Sequence, residues 1–324
     1  MNILYVTARN VLSDNYPYQY YGDLYRELKL MENVFVYQGP IGNINDLLNS
    51  YQDISCLIFD LGYFAQKDIY SFREIPGMRD LNIPKIALFH KPQTLLNEKL
   101  KFCEINNFNL FVDSNNTYKK YGEIAKCESM RLPFVATTEH FHPRMDEKIY
   151  DIGFSGTLRM ITPQGKVEGP TRDIRYRIRD KFSQNNSSYN LYWNSHDSSA
   201  DRITLEEYAK KISQSKIWLA TTGPTLDISP RYFEVMLSKT LLLCNNMPEV
   251  YDNWFEDGVN CVMYENDLSN FFEKIDYYLN NENETNKIID YAYDKCLNTY
   301  TWKCMANNLI SKIKEIKNEL SSNS

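Results

Sequence analysis

"SPRYFEVMLSKTLLLCNN", residues 229–246, decides the fold. Its first part is a short helical segment opened by a serine and a proline. Its second part, "TLLLCNN", is an apolar run of strand length without alternation. A helix feeding a strand that is apolar on both faces is a unit of a parallel sheet covered by helices. Ser229 is placed as the N-cap and Pro230 as the first helical residue, positions that these residue types favour. Arg231 then falls in the first turn, where the helix end is already partly positive and a cation costs roughly a few tenths of a kcal/mol. A bound anion removes the conflict, because free backbone N–H groups and a guanidinium fork together hold phosphate. Glu234 lies on the same side one turn deeper, with oxygens suited to the adjacent hydroxyls of a ribose. The competing reading is an Arg231–Glu234 pair on a solvated face. The apolar remainder of the helix, Tyr232, Phe233, Val235, Met236 and Leu237, favours the ligand.

Outward from this segment the same alternation recurs. In the first half come "NILYVTA", a helix over 19–31, "VFVY", a helix near 43–50, "SCLIFD", "KIALFH", a helix near 93–105 and "NLFVDS". In the second come "IGFSG", a helix over 171–183, "YNLYW", a helix over 205–213, "KIWLATT", the opening segment, a short helix near 249–255, "NCVMYE" and a helix near 267–279. This order predicts two α/β domains with doubly wound parallel sheets, and 324 residues suit two cores. Asp60, His90 and Asp113 close three first-half strands, and ligands of open parallel sheets collect at such carboxyl ends. The polar stretch "ATTEHFHPRMDEK" reads as a linker, with the domain boundary near 136–148. Glu139, His140 and His142 lie in it without a third ligand at a metal-site spacing, so a solvated linker is the reading. At the end, Trp302, Met305, Leu309, Ile313 and Ile316 form the apolar stripe of a closing amphipathic helix.

A net charge of −6 excludes a surface built wholly for nucleic acid. Any anionic ligand must meet a local patch, and one runs from Arg159 to Lys181, with seven basic residues against three acidic. Just before it, "GFSGTLRM" sets Gly156 and Thr157 in a turn after a strand, where backbone can approach a diphosphate. Neither G-x-x-x-x-G-K-[ST] nor G-x-G-x-x-G occurs. No apolar run reaches membrane-spanning length and the N-terminal run is short for a signal peptide, so a cytoplasmic protein is expected. The seven cysteines contain no C-x-x-C pair and are read as reduced packing residues.

The blocks "LPFVATTEHFHP", "YDIGFSGTL", "EEYAKKISQSKIWLATT", "SPRYFEVMLSKTLLLCNN", "WFEDGVNCVMYEND" and "TYTWKCMANNLI" occur in the order and spacing of a known family. Over roughly 130–310 the chain resembles the C-terminal half of group 1 glycosyltransferases, especially the type related to the spore-maturation protein CgeB. The resemblance implies the GT-B fold, two Rossmann-like domains facing each other across a cleft, with the last helix crossing back to the first domain. The expected division is 1–140 for acceptor binding, 148–302 for the nucleotide sugar and 303–324 for the returning helix. It implies that Glu234 holds the ribose and Arg231 the diphosphate. Many retaining relatives carry a second glutamate eight positions earlier. Here that position is Leu226, with Asp227 the nearest acid.

The donor-side candidates are Gly156, Thr157, Arg159, Thr222, Gly223, Asp227, Ser229, Arg231, Tyr232 and Glu234. On the acceptor side are Tyr16 and Tyr18, whose ring faces suit a sugar, and as general base His90 with Asp60 as runner-up. No D-x-D occurs, so a metal-independent transferase with no cofactor is expected, its leaving diphosphate met by arginines. The expected partners are a nucleotide-diphosphate sugar and a glycan or small acceptor, not nucleic acid, and the resemblance implies retention. The rival readings are a nucleotide-sugar epimerase of the same fold and a non-catalytic sugar- or nucleotide-binding protein.

Overall fold

The structure, a computed structural model, describes residues 1–7, 19–61, 73–89, 95–158, 174–185, 189–195, 203–223 and 226–322. The chain divides into two compact units, Met1–Pro133 with Trp302–Ser324, and Phe134–Thr301.

In the first unit, strands β1 (Asn2–Val6), β2 (Asn33–Tyr37), β3 (Cys56–Leu61), β4 (Lys85–Phe89), β5 (Leu110–Asp113) and β6 (Glu128–Arg131) form one parallel sheet ordered β2-β1-β3-β4-β5-β6. Every residue of β3, β4 and β5 is buried, which is why these strands read as unbroken apolar runs. Helices α1 (Gln19–Met31), α2 (Ile44–Leu48), α3 (Leu96–Ile105) and α4 (Tyr118–Ala125) connect the strands. The returning helix, α10 (Trp302–Ser322), packs along α1 and buries Trp302, Met305, Leu309, Ile313 and Ile316. Lys312 pairs with Glu128 at 2.6 Å on its outer side.

In the second unit, β7 (Tyr150–Gly156), β8 (Leu191–Ser195), β9 (Ser215–Ala220), β10 (Leu241–Asn245) and β11 (Val262–Tyr264) form a parallel sheet ordered β11-β10-β9-β7-β8. Its helices are α5 (Ile174–Gln184), α6 (Leu205–Ser213), α7 (Arg231–Leu237), α8 (Phe271–Asn280) and α9 (Glu282–Thr299). The strand order reverses between β7 and β9, the switch point where a doubly wound sheet opens a crevice at its carboxyl end. Gly153 of β7 lies opposite Trp218 of β9. A Cβ on Gly153 would stand 2.3 Å from the indole, so only glycine lets that ring lie flat on the sheet.

Several expectations change. The segment 136–148 is no solvated linker. Phe141 is buried, its ring 5.9 Å from that of Tyr208, Arg144 pairs with Glu206 at 2.6 Å, and Lys148 Nζ donates to the Ser215 carbonyl at 2.9 Å. The expected helix near 249–255 is a 3-10 turn, Glu249–Tyr251. The sequence reading passed over α4, β6 and α9. All seven cysteines are free, five of them buried. No helix of the described residues is long and apolar enough to cross a membrane, and no group of three or more His, Cys, Asp or Glu among them is placed to hold a metal ion.

Candidate functional site

The switch point of the second unit gathers charge. β7 ends at Gly156, followed by Thr157, and β9 is followed by Thr221. Arg175, in the first turn of α5, reaches across both strand ends. Its Nε donates to Thr221 Oγ1 at 2.6 Å and its Nη1 to the Thr157 carbonyl at 2.7 Å. Arg231, from α7, arrives from the other side. A methyl group on residue 156 would stand 3.4 Å from Arg231 Nη2 and 3.6 Å from Arg175 Nη1. Two guanidinium groups therefore converge in front of a residue without a side chain. Burial, and next the charge of Arg231, pull the Arg175 guanidinium down to about 9, so it remains cationic at neutral pH. Two like charges held together in a sheltered place are relieved by an anion, and paired forks suit a diphosphate.

Gly156→Ala tests this space. The added methyl makes only ordinary contacts, so the melting temperature should stay within a degree or two. Affinity for a nucleoside diphosphate should fall ~10-fold, as for one lost hydrogen bond to a charged group. Titration calorimetry on the folded variant reads both, and unchanged affinity removes the anion from this position.

The carboxylate linked to Arg231 is Glu234, 3% exposed. Burial pushes it up to about 7, against the lowering effects of Arg231 and of a hydrogen bond from Tyr208. Tyr208 Oη donates to Glu234 Oε2 at 2.9 Å and accepts from Arg231 Nε at 3.1 Å. The two residues that the sequence placed on one side do share a side, joined through this phenol. The arrangement is neither a solvated surface pair nor a carboxylate turned away from the arginines.

Behind the cluster, Asn245 closes β10 and fixes the loop after β9. Its Oδ1 accepts from the Thr222 amide at 2.9 Å, and its Nδ2 donates to Thr222 Oγ1 at 3.1 Å and to Asn266 Oδ1 at 3.0 Å. Gly223 N donates to the Asp227 carbonyl at 2.7 Å and Leu226 N to the Gly223 carbonyl at 2.9 Å. Leu226 has φ +61 within this tight loop, a left-handed conformation uncommon for leucine. The loop presents Asp227, whose carboxylate accepts from Tyr251 Oη at 3.4 Å.

Ser229 does not cap the helix. Pro230 occupies the N-cap position in helical conformation, and Ser229 Oγ is buried without a hydrogen bond among the described residues. The reason is local. The Ser229 and Pro230 carbonyls accept from Tyr232 N and Phe233 N, a tight i to i+3 turn in place of a side-chain cap. With seven residues the helix contributes little dipole, so the attraction for an anion falls to the guanidinium groups. Tyr232 turns into the core, fully buried with its ring 5.2 Å from Phe255. In the first unit, Asp60 is fully buried at the end of β3 and accepts from Thr7 Oγ1 at 3.0 Å. Asp113 accepts from the amide of Ser114 at 2.7 Å, which ties it to its own loop. His90, Arg159, Tyr16 and Tyr18 lie outside the described residues.

The structure thus brings together Gly156, Thr157, Arg231 and Glu234, and adds Arg175, Thr221, Tyr208 and Asn245. Arg175 sat unremarked in a basic run, whereas Arg179 of the same run pairs on the surface with Asp180 at 2.9 Å. The sequence signal available for Tyr208 was a tyrosine on an apolar helix stripe, whose hydroxyl needs a partner when buried.

Residues 171–311 match the family model described as glycosyl transferase-like. No match is found among curated protein sequences. Among solved structures the chain is similar to sucrose-phosphate synthase from Thermosynechococcus elongatus, at TM-score 0.64 and 10% identity, over 100% of both chains. It is similar to a glycosyltransferase from Rickettsia africae, at TM-score 0.59 and 13% identity, over 97% of this chain and 98% of that one. It is also similar to Anabaena HepE solved in complex with UDP, at TM-score 0.55 and 9% identity, over 97% and 100%. The GT-B architecture and the glycosyltransferase resemblance expected from the sequence are borne out. The family model covers residues 171–311 and describes the broad family, and it does not distinguish the CgeB-like type within it.

Proposed function

We propose, from the premise that the chain is a glycosyl transferase-like protein of GT-B fold, that it moves a sugar from a nucleoside-diphosphate donor to a glycan or small acceptor without a metal. The observation that carries this reading is the convergence of Arg175 and Arg231 on Gly156, with Arg231 joined through Tyr208 to the Glu234 carboxylate. As the glycosidic bond to the diphosphate breaks, negative charge grows on the leaving oxygens, and preorganised cations stabilise it at that moment. Glu234 orients the ribose, and Asp227, on its strained loop, takes the position nearest to the sugar-binding glutamate of retaining relatives. Ser229, Thr222, Gly223 and Arg159 complete the donor side. Tyr16 and Tyr18 are assigned to the acceptor and His90 to the base. Asp60, enclosed and bonded to Thr7, suits a supporting role better than direct proton transfer. Retention at the anomeric carbon rests on the family resemblance, and the anomeric configuration of the product tests it. The intracellular setting belongs to the same proposal.

The purified protein is offered a panel of nucleotide sugars, UDP-sugars first because HepE was solved with UDP. Release of free nucleoside diphosphate is then followed with and without a chelator. Release from one donor that survives chelation is the expected result. Glu234→Gln should weaken nucleoside diphosphate binding ~10–100-fold, the range for a hydrogen bond to a charged group. The wild type should bind more tightly as pH rises through about 7, because the raised carboxylate becomes ionised there. Equal affinity in the variant removes the ribose role.

A second reading, a nucleotide-sugar-binding protein without transfer, is favoured by Leu226 standing where relatives carry a glutamate. Tight donor binding with no turnover across a panel of acceptors would select it.

A further inference from the structure

We infer that Tyr208 is a positioning residue that holds Arg231 and Glu234 as one unit, so that the diphosphate and ribose halves of the donor are gripped interdependently. This rests on the donor reading above and deepens it.

The phenol has one proton and gives it to Glu234 Oε2 at 2.9 Å, which leaves a lone pair for Arg231 Nε at 3.1 Å. Each bond thereby orients the other. Burial holds the phenol well above its ordinary range, so it stays a donor throughout neutral pH. The ring has no free swing. Phe141 meets it edge-on at 5.9 Å and Trp218 at 5.8 Å, while Thr204 caps the start of α6 by accepting from Glu207 N at 3.1 Å. The groups acting on Glu234 are Arg231 on its own helix and Tyr208 from α6. From α9, Cys296 contacts the Phe233 carbonyl, and β10 carries Cys244, both thiols buried. Arg175 from α5 stands beside Arg231. Of these, only Tyr208 touches both proposed donor-holding side chains.

The test uses the full-length protein and Tyr208→Phe, which keeps the ring and its packing. UDP, GDP, ADP and dTDP are titrated calorimetrically in parallel across neutral pH, and the melting temperature checks the fold. Tyr208→Phe is expected to lower the affinity for the preferred diphosphate ~10-fold, as for one hydrogen bond to a charged group. It should also move the pH midpoint of that affinity upward, because Glu234 loses a donor that favours its ionised form. In the Glu234→Gln background the same change should cost clearly less, the non-additivity of residues in one network.

If the wild type binds none of the four diphosphates, the donor reading falls and takes this one with it. If the wild type binds and Arg231→Met and Glu234→Gln each weaken it, while Tyr208→Phe leaves affinity and pH midpoint unchanged, the donor reading stands and the role of Tyr208 is overturned. Full additivity with Glu234→Gln overturns it equally.

Discussion

Arg175→Met combined with Arg231→Met should reduce nucleoside diphosphate affinity by ~10²–10⁴-fold, the order of magnitude for losing two hydrogen-bonded charge interactions of roughly 1.5–3 kcal/mol each. The nucleoside lacking phosphates should lose far less, only what Arg231 supplies indirectly by holding Glu234 through Tyr208. The single substitutions should not add up to the double. The two groups repel in the empty site, and the charge of Arg231 is the second-largest cause of the depressed Arg175 value, so removing either changes what the other is worth. Arg175→Met alone also leaves Thr221 Oγ1 and the Thr157 carbonyl without this donor, and it should carry a stability cost of its own. Calorimetric affinities for diphosphate and nucleoside, measured on all three variants, provide the comparison. Equal losses for both ligands would mean that the arginines support the fold rather than the phosphates.

The second large effect is expected in the core of the second sheet. Gly153→Val should destabilise the protein by ~3 kcal/mol or more, the upper range for forcing atoms into a packed core. Even a single Cβ there would stand 2.3 Å from Trp218 and 2.6 Å from Ser215 Oγ, and the indole has no exposed side to move into. At roughly 2–4 °C per kcal/mol for a unit of this size, the melting point should drop by about 6–12 °C. Because the Trp218 ring supports Tyr208 at 5.8 Å, donor affinity should weaken as well. Gly153→Ala with Trp218→Phe should recover most of the loss, since the smaller ring yields the space and Trp218 Nε1 makes no hydrogen bond among the described residues. A melting curve unchanged by Gly153→Val would contradict the packing.

Fold and site were legible to different degrees, for physical reasons. The strands β3, β4 and β10 are buried on both faces, and β9 is buried from Ile217 onward, so they write themselves as largely apolar runs. Helix α6 was placed at its observed bounds, 205–213, because Thr204 caps it and its apolar face is regular. By contrast, β6 reads "ESMR" at a sheet edge, where neither face demands apolar residues. The nearness of Arg231 and Glu234 follows from helical spacing alone. That Arg175 rather than Arg179 enters the site depends on which side of α5 meets the strand ends, which a run of alternating arginines leaves open. Tyr208 is further out of reach, since its partners lie 23 and 26 residues away. The serine cap was misplaced because a proline in helical conformation let the backbone close its own turn.

The stretch around Phe141 has a bearing on how the molecule can be dissected. A fragment starting at residue 149 would retain all five strands of the second sheet, yet it would strip the Phe141 ring from Tyr208, the partner from Glu206 and the ammonium that Lys148 sets on the Ser215 and Lys239 carbonyls, where β9 and β10 begin. Such a piece would keep its strands while losing the support of Tyr208, so any excised second unit has to begin upstream, at Phe134.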